Sequence, residues 1–241
     1  IDQEKIYAYE LGAKTNWADG ALQANVAIFY NDYQDRQVGV TVTDPNTLWP
    51  AAGIVNAAQA ITQGFEVDIT WRPIDELTLA LAYAFTDAEW DDFNYSDIRA
   101  QAGQALRGKD LAICGNAQGD CSGAQLAGVP ENAMTLIGNY TAPLAGDMEW
   151  FVNVIGSYQD ERALFDQINT PYVDSFWNWD AQLGLQTEQW TVQLYSTNLL
   201  NDETPRWAQG LPDFRDGMYG GNFGGEPRDE AVFAFLPPPR Q

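Results

Sequence analysis

Apolar side chains recur at every second position through eight segments of this chain, and no other feature constrains the fold as strongly. In the first segment Tyr7, Tyr9, Leu11, Ala13, Thr15 and Trp17 share one face, opposite Ala8, Glu10, Gly12, Lys14 and Asn16. The third sets Phe65, Val67, Ile69 and Trp71 against Gly64, Glu66, Asp68, Thr70 and Arg72. The fourth sets Leu77, Leu79, Leu81, Tyr83 and Phe85 against Thr78, Ala80, Ala82, Ala84 and Thr86. Residues 22–31, 134–140, 148–159, 177–186 and 190–194 repeat the pattern. Phe29, Ile137, Phe151 and Ile155 break it. Successive side chains of a strand point to opposite faces, so this period predicts two-faced β-strands.

The links between the segments alternate in length. Short ones centre on Ala18-Asp19-Gly20, Pro73-Ile74-Asp75-Glu76, Ala145-Gly146-Asp147 and Glu188-Gln189. Asp-Gly is a strong signal for a tight hairpin turn. Long links cover residues 32–60, 87–130, 160–175 and everything after Asn201. Short turns at one end and long loops at the other are the plan of an outer-membrane barrel, whereas a soluble sandwich has no reason to sort its loops. The expected fold is therefore all-β, an antiparallel transmembrane β-barrel with short periplasmic turns and long extracellular loops. No run of about 18 apolar residues is present, which excludes a membrane helix but not a membrane strand of about 9–11 residues.

The two faces carry different chemistry. Val67, Ile69, Leu79 and Leu81 are expected to meet lipid, with Leu79 near mid-bilayer. Glu10, Lys14, Glu66, Asp68, Arg72, Asp180 and Gln182 lie on the other face, where a dry core would bear a heavy desolvation cost but a wet lumen would not. Trp17, Trp71, Trp150 and Trp190 sit beside short turns, and Tyr30, Tyr83, Tyr158, Trp177 and Trp179 lie toward the long loops. Two bands of amphipathic rings are the expected membrane girdles. With 12 Lys+Arg against 34 Asp+Glu, the net charge of −22 rules out a phosphate-binding surface for nucleic acid. The absence of His excludes the Ser-His-Asp and Cys-His arrangements and the common zinc sites, and no enzyme signal remains.

Six short strings, in order, resemble the C-terminal part of the barrel of a TonB-dependent outer-membrane receptor. They are Tyr9-Glu10-Leu11-Gly12-Ala13-Lys14, Phe29-Tyr30-Asn31-Asp32-Tyr33, Gln63-Gly64-Phe65-Glu66-Val67-Asp68, Thr86-Asp87-Ala88-Glu89, Val129-Pro130-Glu131-Asn132 and Asn198-Leu199-Leu200-Asn201-Asp202. The resemblance implies that residues 1–241 form part of a barrel of about 22 strands, with a plug domain and a final strand outside this chain. It implies active uptake of a scarce bulky ligand such as an iron–siderophore complex, driven through the TonB complex by way of the plug region, with no cofactor. The rival readings are a passive porin-like channel and a soluble β-sandwich binding module. Eight strands with two open edges would leave backbone groups unpaired in lipid, so the piece is not expected to insert alone.

Three loop features complete the expectations. Cys114 and Cys121 lie in a turn-rich polar stretch and are expected to form a disulfide in the oxidising periplasm. Trp207, Phe214, Tyr219 and Phe223 are the candidate ligand-gripping aromatics of an outer loop. Asp87, Glu89, Asp91 and Asp92 cluster without the spacing of a calcium loop, so a solvated face is expected there and no metal site.

Overall fold

A computed structural model describes residues 2–43, 50–94, 96, 98, 114, 118–164, 172–211 and 231–235. Its strands are β1 (Lys5–Trp17), β2 (Leu22–Thr43), β3 (Pro50–Ile74), β4 (Leu77–Phe93), β5 (Asn132–Ala145), β6 (Met148–Gln159), β7 (Arg162–Ala163), β8 (Tyr172–Val173), β9 (Phe176–Gln186), β10 (Thr191–Ser196), β11 (Trp207–Leu211) and β12 (Ala231–Phe235). Eight of them form one antiparallel sheet in the order β1-β2-β3-β4-β5-β6-β9-β10, each strand beside its sequence neighbour. The pairs β7–β8 and β11–β12 stand apart as two small hairpins. Among the described residues the sheet stays open, with one edge of β1 and one of β10 unpaired.

The register carries the two-faced pattern across the sheet. One row of directly opposed residues runs Val26, Val67, Tyr83, Met134, Tyr158, Trp177. The next runs Lys14, Asn25, Asp68, Ala82, Thr135, Ser157, Asn178. A one-residue slip at any strand would mix these rows, so the apolar outer face fixes the pairing.

Register also accounts for the four residues that break the alternation. Phe29 opposes Gly64, and its Cζ lies 3.0 Å from where a Cβ on that glycine would stand. Phe151 opposes Gly184 and covers it, leaving the ring only 7% exposed. An aromatic ring laid over a cross-strand glycine fills the space the glycine leaves. Ile137 and Ile155 oppose one another, so each covers the other on the inner face.

The structure corrects the expected loop boundaries. Residues 32–60, expected as a long link, are mostly strand, since the β2–β3 ladder continues to the pair Thr43 and Pro50. A register shift between Tyr33 and Arg36, with Asp35 at φ +55°, re-aims the ladder beyond the polar stretch. β4 likewise continues through Phe93, past the expected loop start at Asp87.

Above the start of β5, the edge of β4 is sealed by a returning loop segment. Leu126 N donates to Ala88 O (3.0 Å), Trp90 N to Ala124 O (2.9 Å), Gly123 N to Trp90 O (2.7 Å) and Cys121 N to Phe93 O (2.8 Å). Cys114 and Cys121 are joined by a disulfide within this segment. Its core holds Trp90, Phe93, Ile98, Leu126 and both half-cystines against Ala58, Ala60 and Ala88. These alanines and Trp90 share strand parity with the inner face, so the loop folds inward over the end of the sheet. Trp90 is sandwiched, with the Phe93 ring at 4.5 Å and the Arg36 guanidinium 4.6 Å from its centroid.

Candidate functional site

The long-loop end of the inner face gathers most of the polar chemistry that sequence spacing did not connect. Gln159 closes β6 and opposes Phe176 at the start of β9. Arg162 Nη1 donates to Gln159 Oε1 (2.6 Å), and Arg162 Nη2 donates to the carbonyl of Arg206. The Arg206 guanidinium lies over Phe176, 3.4 Å from the ring centroid. Its nearest acid is Asp202, at 3.4 Å from Nη2, an ion pair that makes no hydrogen bond. Asp202 Oδ1 already accepts from Thr204 N at 2.8 Å. Burial lowers the Arg206 pKa, Asp202 opposes that shift and Arg162 adds to it. Arg162 and Arg206 thus meet at one spot, with Asp202 beside Arg206.

The inner wall below this spot is polar and mostly acidic. Glu66 and Asp68 of β3 stand beside Ala82, Ala84 and Thr135 around a groove of about 290 Å³. Glu10, Lys14 and Asn25 continue the polar face toward β1 around a groove of about 530 Å³. A row of Asn139, Asn153, Gln182 and Tyr195 lines the other side. Among the described residues this surface presents polar and charged side chains. Among the described residues no group of three His, Cys, Asp or Glu is arranged to hold a metal. Glu89, Asp91 and Asp92 are exposed and Asp87 accepts from Gln63 Nε2 at 3.0 Å.

At the long-loop end of the outer face, ring hydroxyls and amides form one network. Tyr83 OH donates to Asn132 Oδ1 (2.6 Å), Asn132 Nδ2 donates to Asp160 Oδ2 (2.7 Å) and Tyr158 OH donates to Asp160 Oδ1 (3.2 Å). The Tyr158 and Trp177 rings are 5.1 Å apart, and Trp177 stacks on Trp179 at 5.4 Å. Asp160 lies just past β6, and the Asn132 amide, with help from Glu161 N–H and Tyr158 OH, holds its carboxyl below its ordinary pKa against the effect of burial. A depressed carboxyl stabilises the fold above its unfolded pKa, and that contribution is lost as pH falls through the folded pKa. Asp160→Asn should therefore lower the melting temperature at neutral pH. The gap to the parent should close as pH drops below about 4, the ordinary carboxylate value. Melting curves of both proteins across pH 2–8 would check this, and a gap independent of pH would contradict it.

The remaining sequence candidates fall as follows. Trp17, Trp71 and Trp190 lie at short turns, 59%, 46% and 46% exposed, and Trp150 packs on Tyr140 at 5.1 Å. The backbone of Trp207 is in β11, opposite Phe235. Phe214, Tyr219 and Phe223 lie outside the described residues. Arg162, Phe176 and Arg206 were not legible as a site, because the β6–β9 register sets Gln159 beside Phe176 and Arg206 reaches them from beyond β10.

Comparison with known proteins agrees with this geometry. The family model described as "TonB dependent receptor-like, beta-barrel" matches residues 1–199. The chain is 25% identical over 203 residues to the probable TonB-dependent siderophore receptor PiuA of Acinetobacter baumannii, covering 84% of this chain and 24% of that protein. It is 28% identical over 232 residues to the ferric-pyoverdine M114 receptor PbuA of Pseudomonas sp., covering 92% of this chain and 23% of that protein. It thus spans about a quarter of the length of these relatives. The ferric yersiniabactin uptake receptor FyuA of Yersinia pestis superposes with a TM-score of 0.67 at 17% identity, over 98% of this chain and 28% of that one. The PiuA structure superposes with a TM-score of 0.63 at 19% identity, over 98% and 27%. At such identities the superpositions speak for the fold.

Proposed function

We propose, from the premise that this chain belongs to the TonB-dependent receptor-like β-barrel family, that it is the wall of an outer-membrane uptake receptor for an iron–siderophore complex. The observation that carries the reading is the partition of one unbroken eight-stranded sheet into an apolar outer face and a polar inner face. The names of the curated relatives, a siderophore receptor and a ferric-pyoverdine receptor, supply the ligand class. In this reading Trp17, Trp71, Trp150 and Trp190 form the periplasmic girdle in outer-membrane lipid. Tyr30, Tyr83, Tyr158, Trp177 and Trp179 form the outer one. The ligand enters past the stapled loop and the Arg162–Arg206 spot, and energy arrives from the TonB complex through a plug region of the full-length protein.

The test is uptake of iron-55 siderophore complexes by cells carrying the full-length gene, its deletion, or the full-length gene without TonB. The receptor reading expects uptake to vanish in both mutants. Uptake that survives without TonB would replace it with a passive channel.

A further inference from the structure

Between its two bands of rings the outer face carries an apolar depression. Trp71, Leu79, Leu136, Gly138, Val154 and Trp179 line an apolar groove of about 460 Å³. Its floor is Gly138, where a Cβ would touch only Leu79 Cδ2, at 3.7 Å. Its upper wall is the Trp179 ring, which lies so close over Gly156 that a Cβ there would stand 2.6 Å from ring carbons.

The direction of the groove follows from the stagger of the strands. Trp71, Leu79, Gly138 and Val154 are directly opposed in one row. Trp71 and Leu79 are beside a short turn, whereas Gly138 and Val154 are halfway along β5 and β6. The row therefore climbs away from the short-turn end as it crosses the sheet, as tilted barrel strands require. Trp179, one row higher and near the outer end of β9, closes the climb. Four strand steps of about 4.8 Å make the path roughly 19 Å long, within a hydrocarbon core of about 30 Å. The groove thus climbs obliquely from the short-turn end toward the outer end, with an indole at each end.

We infer that this groove holds one acyl chain of a phospholipid as a resident ligand, distinct from the exchanging lipid around it. The occupant follows from continuity with the lipid-facing belt, from a lining without charge, and from a path that rises through that belt between two indoles. It is independent of what the receptor transports.

The test uses the full-length receptor in nanodiscs of palmitoyl-oleoyl phosphatidylethanolamine, with lipids counted by native mass spectrometry after release. The parent and Gly138→Ala should keep one phospholipid at a collision energy that strips Gly138→Leu, because a leucine side chain fills the floor. Leu136→Trp, which fills the groove from its wall, should also lose it and serves if Gly138→Leu does not fold. Leu183→Phe, on the outer face away from the groove, should keep it. Equal retention by the parent and both filled variants would overturn the inference. So would loss from Leu183→Phe, or retention of a lipid other than the phospholipid by the parent.

Discussion

Arginine in place of Leu136 is expected to destabilise the full-length protein by about 2–4 kcal/mol, the cost of a cation on the lipid face at the bilayer midplane. Leu136 lies on the outer face between Leu81 and Gly156. Along β5 it stands between Tyr140 toward the short turn and Asn132 at the outer end, midway between the two bands of rings. No inner carboxylate can reach it through the sheet. Thr135, one residue earlier, opposes Ala82 and Ser157 on the inner face and borders the groove that holds Glu66 and Asp68. Arginine there meets water and two acids, so Thr135→Arg should cost about 1 kcal/mol or less. Folding titrations of both variants in lipid vesicles measure the difference, and equal costs would show that the two faces are assigned the wrong way round. Leu79, expected from spacing to sit at mid-bilayer, is level with Trp71 beside a short turn. Its replacement by arginine should cost about 0–1 kcal/mol, the value near an interface.

What the sequence disclosed and what it hid have separate physical origins. Faces were legible because the side-chain period of a strand is two and lipid demands an apolar stripe. One look at residues 77–86 gives both surfaces of β4. Strand ends were not legible. The run Asn31-Asp32-Tyr33-Gln34-Asp35-Arg36 has the composition of a loop, yet beyond the membrane a ladder needs no apolar face to persist. Residues 118–128, with Gly at 119, 123 and 128, carry no period at all. They pair with β4 because the backbone groups of its outer extension need partners once β5 has ended. The site residues were the least legible. Gln159, Phe176, Arg162 and Arg206 look unremarkable singly, and they become neighbours only through the pairing of β6 with β9 and the return of the chain beyond β10. The four residues that break the alternation had a readable cause in part. Phe29 and Phe151 look misplaced until each is set opposite its glycine, and that pairing is a property of register rather than of either residue.

The same pairing makes Gly64 the position where a small change should do the most harm. Gly64 sits between Phe29 of β2 and Thr86 of β4. A Cβ built on it overlaps the backbone carbonyl oxygen of Phe85 and comes within 3.0 Å of Phe29 Cζ. The phenyl ring can turn aside, but the carbonyl cannot, since it belongs to the β3–β4 ladder itself. A side chain at residue 64 must therefore spread two central strands and unseat Phe29 together. Overpacking that only side chains must absorb costs about 1–3 kcal/mol, and a backbone obstacle raises that. Gly64→Val is expected to destabilise the full-length protein by about 3 kcal/mol or more. Gly39, in the same hairpin beyond the register shift, has nothing within 4 Å of a built Cβ and no positive φ. Gly39→Val should be near neutral, within about 0.5 kcal/mol, since a β-branched residue suits an extended backbone. Comparison of the two variants in the same lipid folding titration separates a glycine required by close approach from one that is merely tolerated. A Gly64→Val protein as stable as the parent would mean that β3 and β4 do not meet in the register described, and with it the placement of Glu66 and Asp68 on the inner wall would fall.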